Sequence, residues 1–587
     1  MSDDLNKFIR IQVLLNAKLF NGNPNEKAIL GKLLGKRADL RSQAKEIQSL
    51  ISEIATDVRS LSLEQISDEL LKIAPDAEKS DQQRKKKKAI KRIEQKKELP
   101  ELKNAVKGKF IVRYAPDPSK YPHLGQGMNF LVNRIYADKY EGKVILRFDD
   151  TNPAMVKKKY YVAIKEGLLW LGATWDEEIN ASDFIDEFYD VTKEWINKLF
   201  FYVCKCDGEL VKTNREASIS CNHRTHSVSK NLKEFDRMLS GEYQVGEAIV
   251  RLVGDMTSDN MVMRDPPMLR IVSDQHPMLD KFYPVFPMYD FESAFLEYKM
   301  GITHVIRSGE FGTMRQELQS NLISKFGGKV PEFFSFGRFN IQGTPTKGRV
   351  IRELVETGIV SGWDDIRLVT LAGIKKRGLH PDTARLIIQE AGLTSKNTQV
   401  AWQTVEAKSK ELLEPISKRF FFIPNPIRIK VENSPVNEFE LPIHPDHPEY
   451  GNRKFDITGD FYLSKDDTAK FKEGSLIRLK DLFNIKIKSI TSNLITSEYA
   501  GDDIKAAKKK LQWITADFIP GNLVVPELLQ KSKNEINPES LGQMDGYFES
   551  SISIATEDDI LQLERVGYAK IKIRNGKITG HIIHKHF

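Results

Sequence analysis

The chain has three cysteines in 587 residues, and it lacks both a membrane-length apolar run and a basic-then-apolar leader. Each absence excludes something. Three thiols cannot build a disulfide framework, so a reducing, cytoplasmic setting is expected. Without a long apolar stretch no membrane partner is expected, and Met1–Arg10 is acidic and then mixed, unlike a secretory signal. Hydrophobic residues make up 40% and charged residues 29% of the chain, the balance of a soluble globular protein. Its length calls for about three to five domains. The net charge of +8 permits a polyanionic partner without requiring one.

The most informative stretch runs from Ile111 to Asp150. Ile111–Tyr114 reads as a short buried strand, and the proline-rich Ala115–Pro122 cannot continue it. His123-Leu124-Gly125-Gln126 opens a helix through Gln126–Tyr140, and Lys143–Phe148 is a second strand ending at Asp149 and Asp150. In a parallel α/β sheet, ligands bind at that edge, where a helix N-terminus offers N–H groups and partial positive charge to a phosphate. A phosphorylated ligand at His123 is the expectation.

The first hundred residues are polar and helical, with apolar residues at helical spacing in Phe8-Ile9-Val13-Leu14 and Ile47-Leu50-Ile51-Ile54. A basic run follows, Arg84–Lys88 with Lys91-Arg92 and Lys96-Lys97. It reads either as a solvated linker helix or as a phosphate-backbone contact. All three cysteines then fall close together, as Cys204, Cys206, Cys221 and His223 in the pattern C-x-C-x14-C-x-H. Two close pairs of thiolate and imidazole ligands suit structural, tetrahedral zinc, with His226 as an alternative ligand.

Further along, Ala248–Val253 and Met261–Arg270 read as strands of an inserted mixed domain. Tyr289 lies in P-M-Y-D-F, and Gly301–Arg307 reads as a strand ending in a cation. An arginine there is either a surface salt bridge or a directional clamp for a carboxylate. Thr344-Pro345-Thr346-Lys347-Gly348 is a loop with one lysine between small residues. Val350–Glu356, Gly362–Arg377, Pro381–Ala391 and Asn397–Leu413 read as helices. From about Arg419 period-two alternation takes over, as in Arg428–Glu432, Ile485–Lys488 and Ile571–Arg574, and reads as β-barrels.

R-Y-A-P-D-P-x3-P-H-L-G, R-F-D-D-T-N-P, P-M-Y-D-F, I-T-H-V-I-R, a Thr/Lys loop and V-S-G-W-D-D-I-R-L occur in this order. Together they resemble the class I aminoacyl-tRNA synthetases, in the glutamyl/glutaminyl branch of archaeal–eukaryotic type, from about Lys103 to Phe587. The resemblance implies ATP-dependent activation of L-glutamate and its transfer to tRNA(Glu), with Mg2+ accompanying ATP. It implies a multidomain chain: an α/β Rossmann-like catalytic domain, an N-terminal helical extension, a zinc-knuckle insertion and C-terminal all-β anticodon-binding barrels. The expected divisions are 1–102 (extension), 103–200 and 276–348 (catalytic halves), 201–275 (insertion), 349–416 (stem-contact helices) and 417–587 (barrels).

The same resemblance implies the roles of individual residues. His123 matches the first histidine of the HIGH motif, Gln126 its last position, and Lys347 the critical lysine of the KMSKS loop. Pro116, His123, Gly125, Gln126, Thr346 and Lys347 would hold ATP. Arg113, Ala115, Asp117, Asp149, Tyr289 and Arg307 would hold glutamate, with Asp149 receiving the α-ammonium group and Arg307 the side-chain carboxylate. Three departures from the family stand out: Gln126 replaces histidine, Lys120 replaces glycine, and the Thr/Lys loop keeps a single lysine. Three readings follow from these. A glutamyl enzyme, with charging of tRNA(Gln) also compatible, is favoured by Arg307, since a buried guanidinium beside a neutral amide would cost about 3–5 kcal/mol. A glutaminyl enzyme and a silent tRNA-binding paralogue are the alternatives.

Overall fold

The computed structural model describes residues 3–19, 22–26, 29–31, 33, 44–74, 99–309, 312–491, 494–532, 535–557 and 559–585. The chain forms two compact units, Met1–Glu98 and Leu99–Phe587. In the first, α1 (Asp3–Leu19), α2 (Ala44–Arg59) and α3 (Leu63–Ile73) bury Ile9, Val13, Leu14, Ile47, Ile51, Val58, Ile66 and Leu70 against one another. These are the helically spaced apolar positions of a small bundle, each contributing about 1.5–3 kcal/mol on burial. A Ser62–Gln65 capping box starts α3. The basic run Arg84–Lys97 lies outside the described residues.

The second unit starts as a parallel sheet. β1 (Ile111–Tyr114), β2 (Lys143–Phe148) and β3 (Glu177–Asn180) pair in sequence order, with α4 (Leu124–Lys139) and α5 (Lys158–Trp170) as crossovers. β2 is buried on both faces, with Val144, Leu146 and Phe148 on one and Ile145 and Arg147 on the other, whereas β3 is an exposed to half-buried edge strand. After α6 (Ile185–Asn197) comes β4 (Phe201–Cys204), and after α7 (Val228–Leu239) come β5 (Ile249–Leu252), β6 (Pro267–Ile271) and β7 (Val285–Pro287). β4 to β7 form an antiparallel sheet in chain order. Met261–Met263 is a short 3-10 turn, not part of a strand as its apolar character suggests. Pro266 and Pro267, without N–H donors, delay the ladder to the end of that stretch.

α8 (Tyr289–Lys299) leads back to the side of β1, where β8 (His304–Ser308) pairs in parallel with β9 (Glu332–Phe336) across α9 (Gly312–Lys325). Thr303 fixes β8 beside β1 through bonds to Ile111 at 2.9–3.1 Å. β10 (Phe339–Ile341), α10 (Gly348–Glu356), α11 (Leu371–Arg377), α12 (Thr383–Ala391), β11 (Thr398–Val400) and α13 (Trp402–Leu413) follow. Two helices are shorter than their periodicity suggests. In 362–370 the Asp365 carboxylate accepts from Ser361 N–H and Arg367 N–H, holding turns, and Thr370 caps the helix that follows. Thr398–Val400 is drawn into a parallel pair with β10.

The remaining chain forms two seven-stranded sheets. One runs, in space, from Lys510–Leu511 through 476–479, 484–490, 494–499, 426–432 and 460–464 to Ile514–Thr515. Its two edge strands flank Gln512-Trp513, so the sheet curls until chain neighbours meet around the buried Trp513. The other runs from Arg419–Phe420 to Phe422–Pro424, edges separated by one residue, Phe421. Sheets whose edges meet in this way are curled barrels with little free edge.

Candidate active site

A cavity of about 490 Å³ opens at the C-terminal ends of β1, β2 and β8. It brings together every residue assigned by resemblance to the substrates: Arg113, Ala115, Pro116, Asp117, His123, Gly125, Gln126, Asp149, Tyr289, Arg307, Thr346 and Lys347 all line it. Lys120, Asn129, Asn133 and Arg338 line it too.

His123 is the N-cap of α4. Its Nδ1 accepts from Gln126 N–H at 3.3 Å, while Gln126 Oε1 accepts from His123 N–H at 3.3 Å. This is a reciprocal capping box with imidazole in place of hydroxyl. Gln126 thereby has a structural part to play, since its amide closes the helix N-terminus, where a second imidazole would serve less well as acceptor. An accepting Nδ1 places the ring proton on Nε2. Burial, with smaller contributions from the charges of Lys120 and Arg338, lowers the His123 pKa to about 3, so the ring is a neutral donor at physiological pH. Gly125 admits no side chain, because a Cβ there would lie 2.4 Å from Phe339 O. The turn is further pinned where Leu124 N–H donates to Val369 O and Leu371 N–H to Pro122 O, both at 2.8 Å.

Lys347 is the N-cap of α10 and is exposed. Two helix N-termini, one capped by His123 and the other preceded by Lys347 without a side-chain cap, therefore border one cavity and add partial positive charge to it.

The opposite wall is a buried ionic network. Arg147 donates to Asp149 through Nε (2.6 Å) and Nη2 (3.2 Å), and to Ser293 Oγ at 3.3 Å. Arg113 pairs with Glu297 at 2.9–3.0 Å. Glu292 accepts from Thr151 at 2.7 Å, and burial pushes its pKa well up. Asp149 lines the cavity with two lone-pair directions taken by Arg147. Asp150 turns away from it and accepts from Ser182 N–H (2.8 Å), Ser182 Oγ (2.8 Å) and Tyr161 Oη (2.7 Å); burial raises its pKa to about 7.

Arg307 points into the cavity from β8. It donates to Gln319 Oε1 at 2.9 Å and Tyr289 Oη at 3.3 Å, with Phe333 under the guanidinium at 5.2 Å. Tyr289 opens α8; the preceding strand has already ended at Pro287. Burial lowers the Arg307 pKa and raises that of Tyr289. Arg147, Glu297 and Gln319 were not apparent in the sequence, although Arg147 lies within R-F-D-D. Nothing local marks Glu297 or Gln319, which reach the site only by packing of α8 and α9.

The four zinc-type ligands also converge. The ligand atoms of Cys204, Cys206, Cys221 and His223 lie within 4.8 Å of one another. Cys204 Sγ is 3.7 Å from Cys221 Sγ, and Cys206 Sγ is 3.5 Å from His223 Nδ1. Zn–S bonds of about 2.3 Å in a tetrahedron put ligand atoms roughly 3.5–3.8 Å apart, so the donor set fits Zn2+. His226 is not in the set; its Nε2 meets Lys230 Nζ at 3.0 Å. The buried Arg251 directs Nη1 to Cys204 (3.7 Å) and Cys221 (3.8 Å), offsetting thiolate charge. Of the K-K-R at the end of α11, Arg377 is buried, donating to Ile583 O at 2.8 Å, and Lys376 pairs with Asp364 at 2.8 Å. A second cavity, about 750 Å³, lies where the barrels meet and is lined by Lys465, Tyr547 and Lys577 among others.

A parallel β-α-β core with two helix N-termini at one cavity, followed by curled β domains, fits a class I aminoacyl-tRNA synthetase. The family described as tRNA synthetases class I (E and Q), catalytic domain, matches residues 109–415, and its two anticodon-binding domains match 417–500 and 510–572. The chain belongs to this E/Q family. It is 35% identical over 593 residues to the glutamate--tRNA ligase of Thermococcus kodakarensis (99% of this chain, 100% of that protein). It is 37% identical over 584 residues to the glutamate--tRNA ligase of Nitrosopumilus maritimus (99% and 100%). A crystallised glutamate tRNA ligase from Elizabethkingia meningosepticum overlaps 53% of this chain and 70% of its own, at 20% identity and a TM-score of 0.37.

Proposed function

We propose that this protein attaches L-glutamate to tRNA(Glu), through an ATP-dependent glutamyl-adenylate and transfer of the glutamyl group to the tRNA 3′ end. Arg307 carries the choice of amino acid. Its fork is oriented by Tyr289 and Gln319, and burial penalises its charge, so a carboxylate side chain gains where an amide would not. Full-length relatives named glutamate--tRNA ligase support the same choice.

In the first step the α-carboxylate of glutamate attacks the α-phosphorus of ATP in line, and pyrophosphate leaves. Such chemistry needs positioning and charge stabilisation more than a protein nucleophile. His123 donates from Nε2–H to a phosphate oxygen, and Lys347 approaches the triphosphate from the facing loop. Asp149, held by Arg147, receives the α-ammonium group, and Arg113, held by Glu297, completes the amino-acid side. Pro116 and Gly125 line the nucleotide side of the cavity, and Mg2+ would accompany ATP. Cys204, Cys206, Cys221 and His223 would hold a structural Zn2+, whose bonds would tie the knuckle of the insertion together. Anticodon bases enter the cavity between the barrels, beside the stacked rings of Tyr547 and Phe518. Cysteines that form no disulfide fit a reducing cytoplasm.

ATP–pyrophosphate exchange with tRNA(Glu) present tests this reading. Glutamate-dependent exchange is expected, with Arg307→Gln lowering kcat/KM for glutamate by about 10²–10³-fold. Exchange supported by glutamine, or none at saturating tRNA, overturns it. Charging assayed on tRNA(Gln) beside tRNA(Glu) measures how far the two tRNAs are discriminated.

A further inference from the structure

Two departures from the family meet in space. The loop Thr344–Gly348 has a single lysine, Lys347, and the first loop carries Lys120 at a position where the resemblance leads one to expect glycine. Lys120 belongs to the loop between β1 and α4, and it lines the same cavity as His123 and Lys347. Its aliphatic stem crosses Gly348: a Cβ at 348 would lie 2.8 Å from Lys120 Cδ and 3.4 Å from Lys120 Cβ. The residue after Lys347 is therefore glycine where the lysine from the opposite loop passes over it. The two loops are also tied by Arg352, which donates to Ser119 O at 3.4 Å. Lys120 stands close enough to the His123 ring for its charge to disfavour a protonated imidazole.

A lysine at this place adds a cation to a cavity wall that already presents a neutral histidine donor, an exposed lysine and two helix N-termini. Arg147 and Arg113 are engaged by Asp149 and Glu297, Arg307 donates to the neutral Tyr289 and Gln319, and Asp117 on the first loop feels the charge of Lys120, so the positive groups of the cavity stand on both of its sides. The lysines of the two loops suit a polyphosphate, whose oxygens take compact ammonium charges well. We propose that Lys120 binds the phosphates of ATP, supplying from the first loop the cation that the Thr/Lys loop has lost.

This rests on the nucleotide site proposed above, so the decisive measurement is binding and not turnover. Calorimetric titration of the full chain with ATP and Mg2+ compares wild type with Lys120→Met, which keeps the stem and removes the charge, and Lys120→Arg. Lys120→Met is expected to weaken ATP binding at least about tenfold, with Lys120→Arg within about threefold of wild type. Glutamate KM should be unchanged to within about twofold in both. The inference is overturned if Lys120→Met binds ATP within about twofold of wild type, or if Met and Arg weaken it equally while lowering Tm, as a packing strut over Gly348 would. If Lys120→Met weakens ATP while wild type activates no glutamate, Lys120 stands and the proposed amino-acid specificity falls. If wild type binds no ATP, both fall.

Discussion

Asp149 and Asp150 are chemically identical neighbours with opposite surroundings. They follow directly on the end of β2 at Phe148, and one side chain faces the cavity and an arginine while the other meets only neutral donors in the interior. The pairing of carboxylates was visible in the sequence; their division was not, because Ser182 and Tyr161 arrive from other elements. His123 is a similar case. Its place at a helix start was legible from the proline-rich loop before it, whereas its protonation state depends on burial that no local pattern encodes. The consequence is directly measurable. A pKa lowered from 6.5 to about 3 means that the unfolded chain binds a proton there and the folded one does not, across that interval. Stability from this residue is present above about pH 6.5 and is lost as pH falls toward 3. In ¹⁵N-edited spectra the His123 ring should remain neutral and Nε2-protonated at pH 5; an imidazole titrating near 6.5 would falsify the capping arrangement.

The cluster of Cys204, Cys206, Cys221 and His223 was legible as an element because its members are close in sequence. Only the choice between His223 and His226 needed the structure, which turns His226 toward Lys230. Protein purified without chelators should contain about one Zn2+ per chain, and Cys206→Ser should lose it while opening 208–220 to protease. The surrounding sheet has a separate core of Phe201, Val203, Val250 and Leu269, so its protection should persist. Metal below about a tenth of an equivalent would rule the site out. Helices were less legible where side chains compete for the backbone. Asp365 removes half of the helix suggested for Gly362–Arg377, and the pull of β10 converts Thr398–Val400 into a strand. In both places the periodicity is real and a tertiary or local hydrogen bond prevails over it.

Across the whole molecule, the alternation after Arg419 announced strands but not their order. Each barrel closes on edge strands one or two residues apart in the chain, and the second barrel begins before the first and is completed after it. Interleaving of that kind leaves no trace in local patterns. The basic run poses the converse problem, since its charge is plain while its role depends on the partner. Arg84–Lys97 carries nine cations and one glutamate. Leu99 and Pro100 belong to the second unit, where their carbonyls accept from Lys139 (3.4 Å) and Tyr136 (3.0 Å), so the run can be removed by starting the chain at Leu99. If these cations meet tRNA phosphates, each one engaged contributes about 0.7–0.9 to the slope of log K against log salt. Truncation should then flatten that slope by about 2 or more and weaken tRNA binding most at low salt, while glutamate KM stays the same. A linker helix with only solvent around it predicts parallel lines for the two proteins, and that outcome would remove the run from the tRNA interface.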